Sequence, residues 1–142
     1  MNDFKVDIFK EGIEAERLFR TKLWENDIPN TQVDSLAILN GKPIMFEVKT
    51  LRTFTKGGNC DFDGHGLNQS QFDLKCYFSN IIKIPYVIFI FDKSNNLIFY
   101  EDVNNLKKSR YYITKNNIII FPLESFNVTD YQFLVENLIK FN

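Results

Sequence analysis

The sequence predicts an α/β domain in which helices flank a mixed central β-sheet. Three observations predict it: an Asn-Gly pair between two short apolar runs, a continuous apolar run at residues 86–91, and helical spacing of apolar residues on either side of these strands. The chain has 142 residues, of which 44% are hydrophobic and 25% charged, so it fits one globular domain over residues 1–142 with a core of ordinary size.

The first part of the chain predicts a helix followed by a β-hairpin. Apolar residues recur at roughly helical spacing over residues 10–26. Two short apolar runs follow at residues 31–39 and 43–50, separated by Asn40 and Gly41. Asn-Gly between apolar runs is a strong hairpin indicator, because both turn positions need a positive φ.

The second part predicts a loop, a helix and several strands. Residues 53–66 hold four of the six glycines, so we expect a long mobile loop there. A helix from about residue 68 to residue 82 is expected to pack through five apolar side chains: Phe72, Leu74, Tyr77, Phe78 and Ile81. The apolar run 86–91 is typical of a strand that is buried on both faces. Strands at 97–100 and 118–121 and a helix at 129–139 complete the chain, with residues 102–142 forming a β/α tail appended to a core at about 10–101.

Composition and charge exclude several classes of protein. With 17 Lys and Arg against 18 Asp and Glu, the chain is not one that coats nucleic acid by bulk charge. Its apolar runs are too short to span a bilayer, so we expect no membrane contact. Two cysteines and an N-terminus without a secretory pattern indicate a reducing, cytoplasmic setting. The many Asn, Ile, Lys and Phe residues have A/T-rich codons, which indicates an A/T-rich bacterial or phage genome and hence a bacterial or phage-infected host cell.

The geometry of the predicted hairpin brings two acids together. With a two-residue turn, Leu39 faces Lys42, and counting outward along both strands places Asp34 opposite Glu47. Opposed residues share one face of the sheet, with Cβ atoms roughly 4.5–5.5 Å apart. Lys49 lies two residues after Glu47 and therefore points to the same face.

Such an acid pair needs a cation or a proton. Two carboxylates about 5 Å apart repel by roughly 3 kcal/mol at an effective dielectric constant of about 20. The neighbours Leu36, Ile38 and Met45 are apolar, and so is the other face, so we expect a hairpin that is buried on both faces. Paired oxygen ligands suit Mg²⁺ or Mn²⁺. Lys49 beside them can hold a water molecule or neutralise charge on a phosphate, which favours an active site for phosphodiester hydrolysis over a solvent-facing sheet edge.

Asp34 followed thirteen residues later by Glu47-Val48-Lys49 across a hairpin resembles the PD-(D/E)xK nuclease superfamily. The resemblance implies a restriction-endonuclease-like fold with an αβββαβ core. It also implies a site in which Asp34, Glu47 and the Val48 carbonyl ligate Mg²⁺ or Mn²⁺. Glu16 on the preceding helix would support the metal, and Lys49 would position the attacking water.

Two further segments carry the resemblance. Glu16-Arg17-Leu18-Phe19-Arg20 looks like the Glu-containing helix of archaeal Holliday-junction resolvases, with Glu14 as the alternative acid. The segment 67–71 resembles the glutamine-bearing helix start of these enzymes. Gln71 matches that pattern better than Gln69, and its amide would hold the water or a phosphate oxygen.

The resemblance therefore implies a Mg²⁺-dependent DNA endonuclease of the Holliday-junction-resolvase kind, and it implies a homodimer. Arg52, Lys56 and His65, in or beside the predicted loop, are candidates for contact with the DNA backbone. A restriction-type or phage DNA-processing nuclease with the same site is one alternative. A catalytically idle nuclease fold that serves as a binding module is the other. The sequence does not choose between DNA and RNA, or among duplex, branched and single-stranded substrates.

Overall fold

The computed structural model describes residues 14–15, 17–28, 35–39 and 41–130. The chain divides into two compact units, Met1–Gln32 and Val33–Asn142. In the first unit, residues 14–15 and 17–25 are helical (α1), which confirms the predicted helix over its described part. No helix in the described ranges has both the length and the apolar character needed to cross a membrane.

The described part of the second unit contains eight strands, two α-helices and a short 3₁₀ helix, Leu123–Ser125. The strands are β1 (Ser35–Leu39), β2 (Lys42–Leu51), β3 (Gly64–Asn68), β4 (Tyr86–Asp92), β5 (Leu97–Asp102), β6 (Tyr112–Ile113), β7 (Ile118–Pro122) and β8 (Asn127–Thr129). The helices are α2 (Gln69–Ile82) and α3 (Val103–Lys108). One sheet has the order β1-β2-β4-β5-β8 and the other β3-β7-β6. The predicted mixed α/β architecture is confirmed.

The hairpin of β1 and β2 has the predicted register. The strands are antiparallel, Leu39 pairs with Lys42, and the pairing runs without a break to Ser35 and Phe46. Gly41 has a φ of 79°, as this turn requires. Asp34 lies outside the described residues, so its place opposite Glu47 stays a prediction.

Helix α2 follows β3 and leads into β4, which is the parallel neighbour of β2. It begins directly after Asn68, whose side-chain oxygen accepts a hydrogen bond from the Gln71 amide at 3.1 Å. It ends at Ile82, and the next residue, Lys83, caps it with a φ of 63°. The prediction of a helix over 68–82 is therefore confirmed. Strand β4 follows, and most of its side chains are buried, as its apolar run predicts.

The predicted loop at 53–66 is shorter than expected, because a strand begins inside it. Strand β3 starts at Gly64 and pairs with β7, so it lies in the second sheet. The backbone of Gly64 approaches Phe121 so closely that a Cβ would overlap the Phe121 carbonyl. Glycine is therefore needed here for contact between strands, and only part of the glycine-rich stretch serves a loop. Along the chain the elements do run α, β, β, β, α, β, with the third strand in the other sheet.

Residues 103–130 are part of the core, although the sequence predicted an appended tail. Val103 and Leu106 of α3 are fully buried, and so is Phe121 of β7. Strand β8 pairs with β5 at the edge of the five-stranded sheet. Thr129, where a helix was expected to start, is the last residue of β8, and residues 131–142 lie outside the described part.

Two predicted packing faces are wrong in part, although Phe72 of α2 is buried as expected. Helix α2 buries Phe72, Lys75, Cys76 and Ser79, while Tyr77 and Ile81 are exposed. The helix packs through the side that faces the sheet, and that side includes polar residues which hydrophobicity does not reveal.

The hairpin is likewise not buried on both faces. Leu36 and Ile38 of β1 are 71% and 73% exposed, and Val48 is about half exposed. Burial in the hairpin is concentrated at Ile44 and Met45 of β2. Among the described strands, β1 lies at the edge of its sheet and pairs with β2 alone.

Candidate active site

Glu47 and Lys49 lie on one face of β2, as the period of a strand predicts. The Glu47 side chain is 15% exposed and the Lys49 side chain 31%. Lys49 Nζ lies 3.3 Å from Glu47 Oε1. The strand thus delivers a largely buried carboxylate and a more accessible ammonium group to the same point.

Helix α2 forms the opposite wall of a small cleft over this pair. Asn68 and Gln71, from the start of the helix, line the cleft together with Glu47 and Lys49. The space between these side chains is about 10 Å³, which is room for about one water molecule. Gln71 therefore meets Glu47 and Lys49 in one place, as the sequence predicted. Gln69, the second choice, does not line the cleft.

Lys75 also lines the cleft, and sequence reasoning missed it. It lies one helical turn after Gln71, and its side chain is only 7% exposed. Its Nζ is 3.3 Å from Glu47 Oε2 and 5.8 Å from the centre of the Tyr86 ring. The available signal was its spacing: a residue four positions after Gln71 lies on the same helical face.

The cations around Glu47 in the described structure are lysines. Lys49 contacts one carboxylate oxygen and Lys75 the other. Glu47 Oε2 is buried and makes no hydrogen bond with any described residue. The Lys75 ammonium group, 3.3 Å away, forms an ion pair with it. The protein itself thus places two positive charges beside the buried Glu47 carboxylate. The metal ion expected between Glu47 and Asp34 stays a prediction, since Asp34 lies outside the described residues.

The other predicted metal ligands are placed as follows. Asp34 and Glu16 lie outside the described residues. Glu14 is exposed on α1, and the Val48 side chain points away from the face that carries Glu47. Within the described ranges, no three His, Cys, Asp or Glu side chains are grouped so as to hold a metal ion.

The oxygen ligands that the described residues bring to the cleft are the Glu47 carboxylate and the side-chain amides of Asn68 and Gln71, and the Asn68 oxygen already accepts hydrogen bonds from Ser70 and Gln71. Hard divalent ions prefer such donors. Glu47 Oε2 is also a buried oxygen without a hydrogen bond from any described residue. The described residues by themselves do not make a site for Mg²⁺ or Mn²⁺, because both oxygens of their one carboxylate face lysine ammonium groups. Such a site stays a prediction that needs Asp34, which lies outside the described residues.

Of the three predicted DNA contacts, two are accessible and one is not. Arg52 and Lys56 are exposed and make no ion pair with a described residue. His65 is fully buried in β3, where its Nε2–H donates to Asp92 Oδ2 at 2.8 Å. The expectation that His65 touches a phosphate is therefore wrong, because its ring packs against Phe99 and Phe126 inside the core.

No family model matches this chain, and neither a curated protein nor a solved structure matches it. The residues of the cleft themselves indicate which chemistry it can support. A carboxylate, two ammonium groups and two amides surround a space for one small ligand. Such a set can hold a phosphate oxygen or a water molecule.

Proposed function

We propose that this chain is a metal-dependent DNA endonuclease that hydrolyses phosphodiester bonds. One observation carries the proposal: Glu47 and Lys49 of β2 and Gln71 of α2 line the same cleft. These three residues come from two segments separated by a glycine-rich stretch, and the sequence resemblance assigns all of them to one site.

The positions of Glu47 and Lys49 support the roles proposed for them, while the roles of Asp34, Glu16 and the Val48 carbonyl come from the sequence resemblance. Glu47 would ligate Mg²⁺ or Mn²⁺ with Asp34 and the Val48 carbonyl, and Glu16 would support the ion. The bound ion supplies positive charge that polarises the phosphoryl group. Lys49, next to Glu47 Oε1 and partly exposed, would orient the attacking water and neutralise charge on the phosphate.

Gln71 adds hydrogen bonding without adding charge. Its amide at the rim of the cleft would hold the water or a phosphate oxygen. Arg52, which directly follows β2, and Lys56 would contact the DNA backbone, since both side chains are exposed. The restriction-endonuclease-like core, a resolvase-like preference for branched DNA, the homodimer and the cytoplasmic location all come from the sequence resemblance and belong to this proposal.

A catalytically idle binding module is the second candidate. It is favoured by the two lysines that already neutralise Glu47, because a site without a metal needs such partners. A restriction-type or phage DNA-processing nuclease shares the proposed site and differs only in its substrate.

The test is cleavage of four labelled DNAs: supercoiled plasmid, linear duplex, single strand and a four-way junction. Each is incubated with Mg²⁺, Mn²⁺ or EDTA, and binding of the same DNAs is measured in parallel by fluorescence anisotropy. The variants are Glu47→Gln and Lys49→Met, with Glu124→Gln and Lys115→Met as matched controls at exposed positions.

We expect metal-dependent cutting that both site variants abolish and both controls retain. The DNA that is cut fastest then distinguishes a junction-specific enzyme from a restriction-type one. Binding without cutting in any metal would instead establish the idle module. Cutting that persists in EDTA or in Glu47→Gln would contradict the proposed site.

A further inference from the structure

The buried carboxylate of Asp92, at the end of β4, joins three segments of the chain. Its Oδ2 accepts hydrogen bonds from Thr53 Oγ1 at 2.6 Å and from His65 Nε2 at 2.8 Å. Its Oδ1 accepts hydrogen bonds from the backbone amides of Ser94 and Asn95 at 2.7 and 2.9 Å. A buried carboxylate holds the groups that donate to it, because any of these hydrogen bonds is costly to break inside the protein. The segment after β2, the start of β3 and the turn after β4 are therefore fixed to one another by this Asp92 junction.

The Asp92 junction places two basic residues side by side. The Lys93 amide donates to the carbonyl of Leu51, the last residue of β2, at 2.8 Å. The Thr53 amide donates to Ser94 Oγ at 3.0 Å, so the two segments stay together beyond the strands. Arg52 and Lys93 therefore lie on neighbouring backbone segments about 5 Å apart, which is the spacing of adjacent strands.

The charges of these two residues are not neutralised by the protein. Arg52 and Lys93 are exposed, and neither forms an ion pair with a described residue. Two positive charges that are held side by side repel each other, and an anion bound between them relieves that repulsion. Arg52 also follows Lys49 of the cleft by three residues, which is about 10 Å along an extended chain. The pair thus lies close to the cleft on the same strand.

We propose that Arg52 and Lys93 together contact the phosphodiester backbone of DNA beside the cleft, from positions that the Asp92 junction holds in place. This inference rests on the proposed function for its partner, DNA, and it adds Lys93, which lies outside the sequence resemblance to a catalytic site. Guanidinium and ammonium groups bind phosphate oxygens, and such contacts position a nucleic acid without reading its sequence. A chain with a net charge of −1 needs its positive charge gathered at one place to do this.

The test measures how the affinity for DNA depends on salt. Binding of labelled linear duplex DNA is followed by fluorescence anisotropy, in EDTA and in Ca²⁺, from about 50 to about 200 mM salt. The proteins are wild type, Arg52→Met, Lys93→Met, the double variant of these two, and Lys115→Met as a control at an exposed lysine of the other sheet. Each lost phosphate contact lowers the slope of log affinity against log salt by about one.

We expect each single variant to lose about one unit of slope and the double variant about two. The affinity at the lowest salt is expected to fall about fivefold in each single variant, which is the upper end of what one exposed ion pair contributes. Lys115→Met is expected to bind like wild type.

The outcomes separate this inference from the nuclease. Wild type that cuts DNA, with an unchanged slope in the double variant, would overturn the contact by Arg52 and Lys93 and leave the proposed function intact. Binding that depends on both residues, without cutting in any metal, would support the contact and remove the endonuclease. Absence of DNA binding by wild type in both EDTA and Ca²⁺ would overturn the inference.

A measurement on wild type tests the same contact without any substitution. Exposed lysines are acetylated with an N-hydroxysuccinimide ester, with and without saturating duplex DNA, and the modification of each lysine is quantified by mass spectrometry. We expect DNA to protect Lys93 and to leave Lys115 as reactive as before, because only Lys93 lies beside the cleft. Equal acetylation of Lys93 with and without bound DNA would overturn the inference.

Discussion

The Nε2–H of His65 donates a hydrogen bond of 2.8 Å to Oδ2 of Asp92, and both side chains are completely buried. Thr53 Oγ1 donates to the same oxygen at 2.6 Å. Burial would raise the pKa of Asp92, but hydrogen bonds from Thr53, Asn95 and Ser94 outweigh it and hold that pKa at about 2. The contact thus ties β3 to the end of β4 through a carboxylate that stays ionised.

We predict that the free energy of unfolding falls as the pH drops below the ordinary histidine pKa of 6.5. Burial lowers the pKa of His65 in the folded protein, although the Asp92 carboxylate acts to raise it. The unfolded chain therefore takes up a proton at a higher pH than the folded one. The stabilisation is complete above the unfolded pKa and is lost as the pH falls. Urea denaturation at about pH 7.5, 6.5 and 5.5 measures it.

His65→Gln is the matched variant for this pH dependence, because its amide can still donate to Asp92 but does not titrate. Its stability is expected to vary less than that of wild type over the same pH range. If wild type became more stable toward pH 5.5, the His65–Asp92 ion pair would dominate over burial and the prediction would be wrong.

Gly64 is predicted to tolerate no side chain. A Cβ at this position would overlap the Phe121 carbonyl in the neighbouring strand, so Gly64→Ala must push β3 and β7 apart. We expect a loss of about 3 kcal/mol in the free energy of unfolding. Gly57→Ala is the control, because the nearest atom to its Cβ would be 3.9 Å away, and we expect a change within about 0.5 kcal/mol. Equal effects of the two substitutions would contradict the close approach of these strands.

We predict that the Glu47–Lys75 ion pair does not make the folded protein more stable than apolar side chains at the same two positions would. Glu47→Leu alone leaves the Lys75 ammonium buried without its carboxylate, and we expect a loss of about 3 kcal/mol. The double variant Glu47→Leu/Lys75→Met removes both charges and is expected to be at least as stable as wild type. Urea denaturation of the two variants and wild type checks this. A double variant that is less stable than Glu47→Leu would show that the pair is structural.

Gln71 is predicted to affect cleavage and leave stability unchanged. Its side chain is exposed at the rim of the cleft. Its backbone amide donates to the Asn68 cap of α2, and this hydrogen bond does not depend on the side chain at position 71. Gln71→Ala is therefore expected to lower turnover about 100-fold, as the loss of one aligned hydrogen bond to the reacting group does. The unfolding free energy is expected to stay within about 0.5 kcal/mol. Gln69→Ala is the control, and an equal loss in both variants would argue against a specific role for Gln71.

Much of the second unit could be predicted because its elements are encoded locally. The register of β1 and β2 follows from a two-residue turn with Gly41 at positive φ. The start of α2 follows from the Asn68 cap, and β4 follows from a continuous apolar run. The position of Gln71 beside Glu47 also follows, because α2 lies directly before the strand that pairs with β2.

The chain by itself thus determined the strand that carries Glu47 and Lys49, the register of its hairpin and the helix that carries Gln71. Tertiary structure alone decided that Lys75 and His65 are buried and that residues 103–130 complete the core. The physical reason is that turns, caps and periodicity depend on neighbours along the chain. A buried lysine or histidine depends instead on a partner from a distant segment, Glu47 for one and Asp92 for the other, which sequence spacing does not reveal.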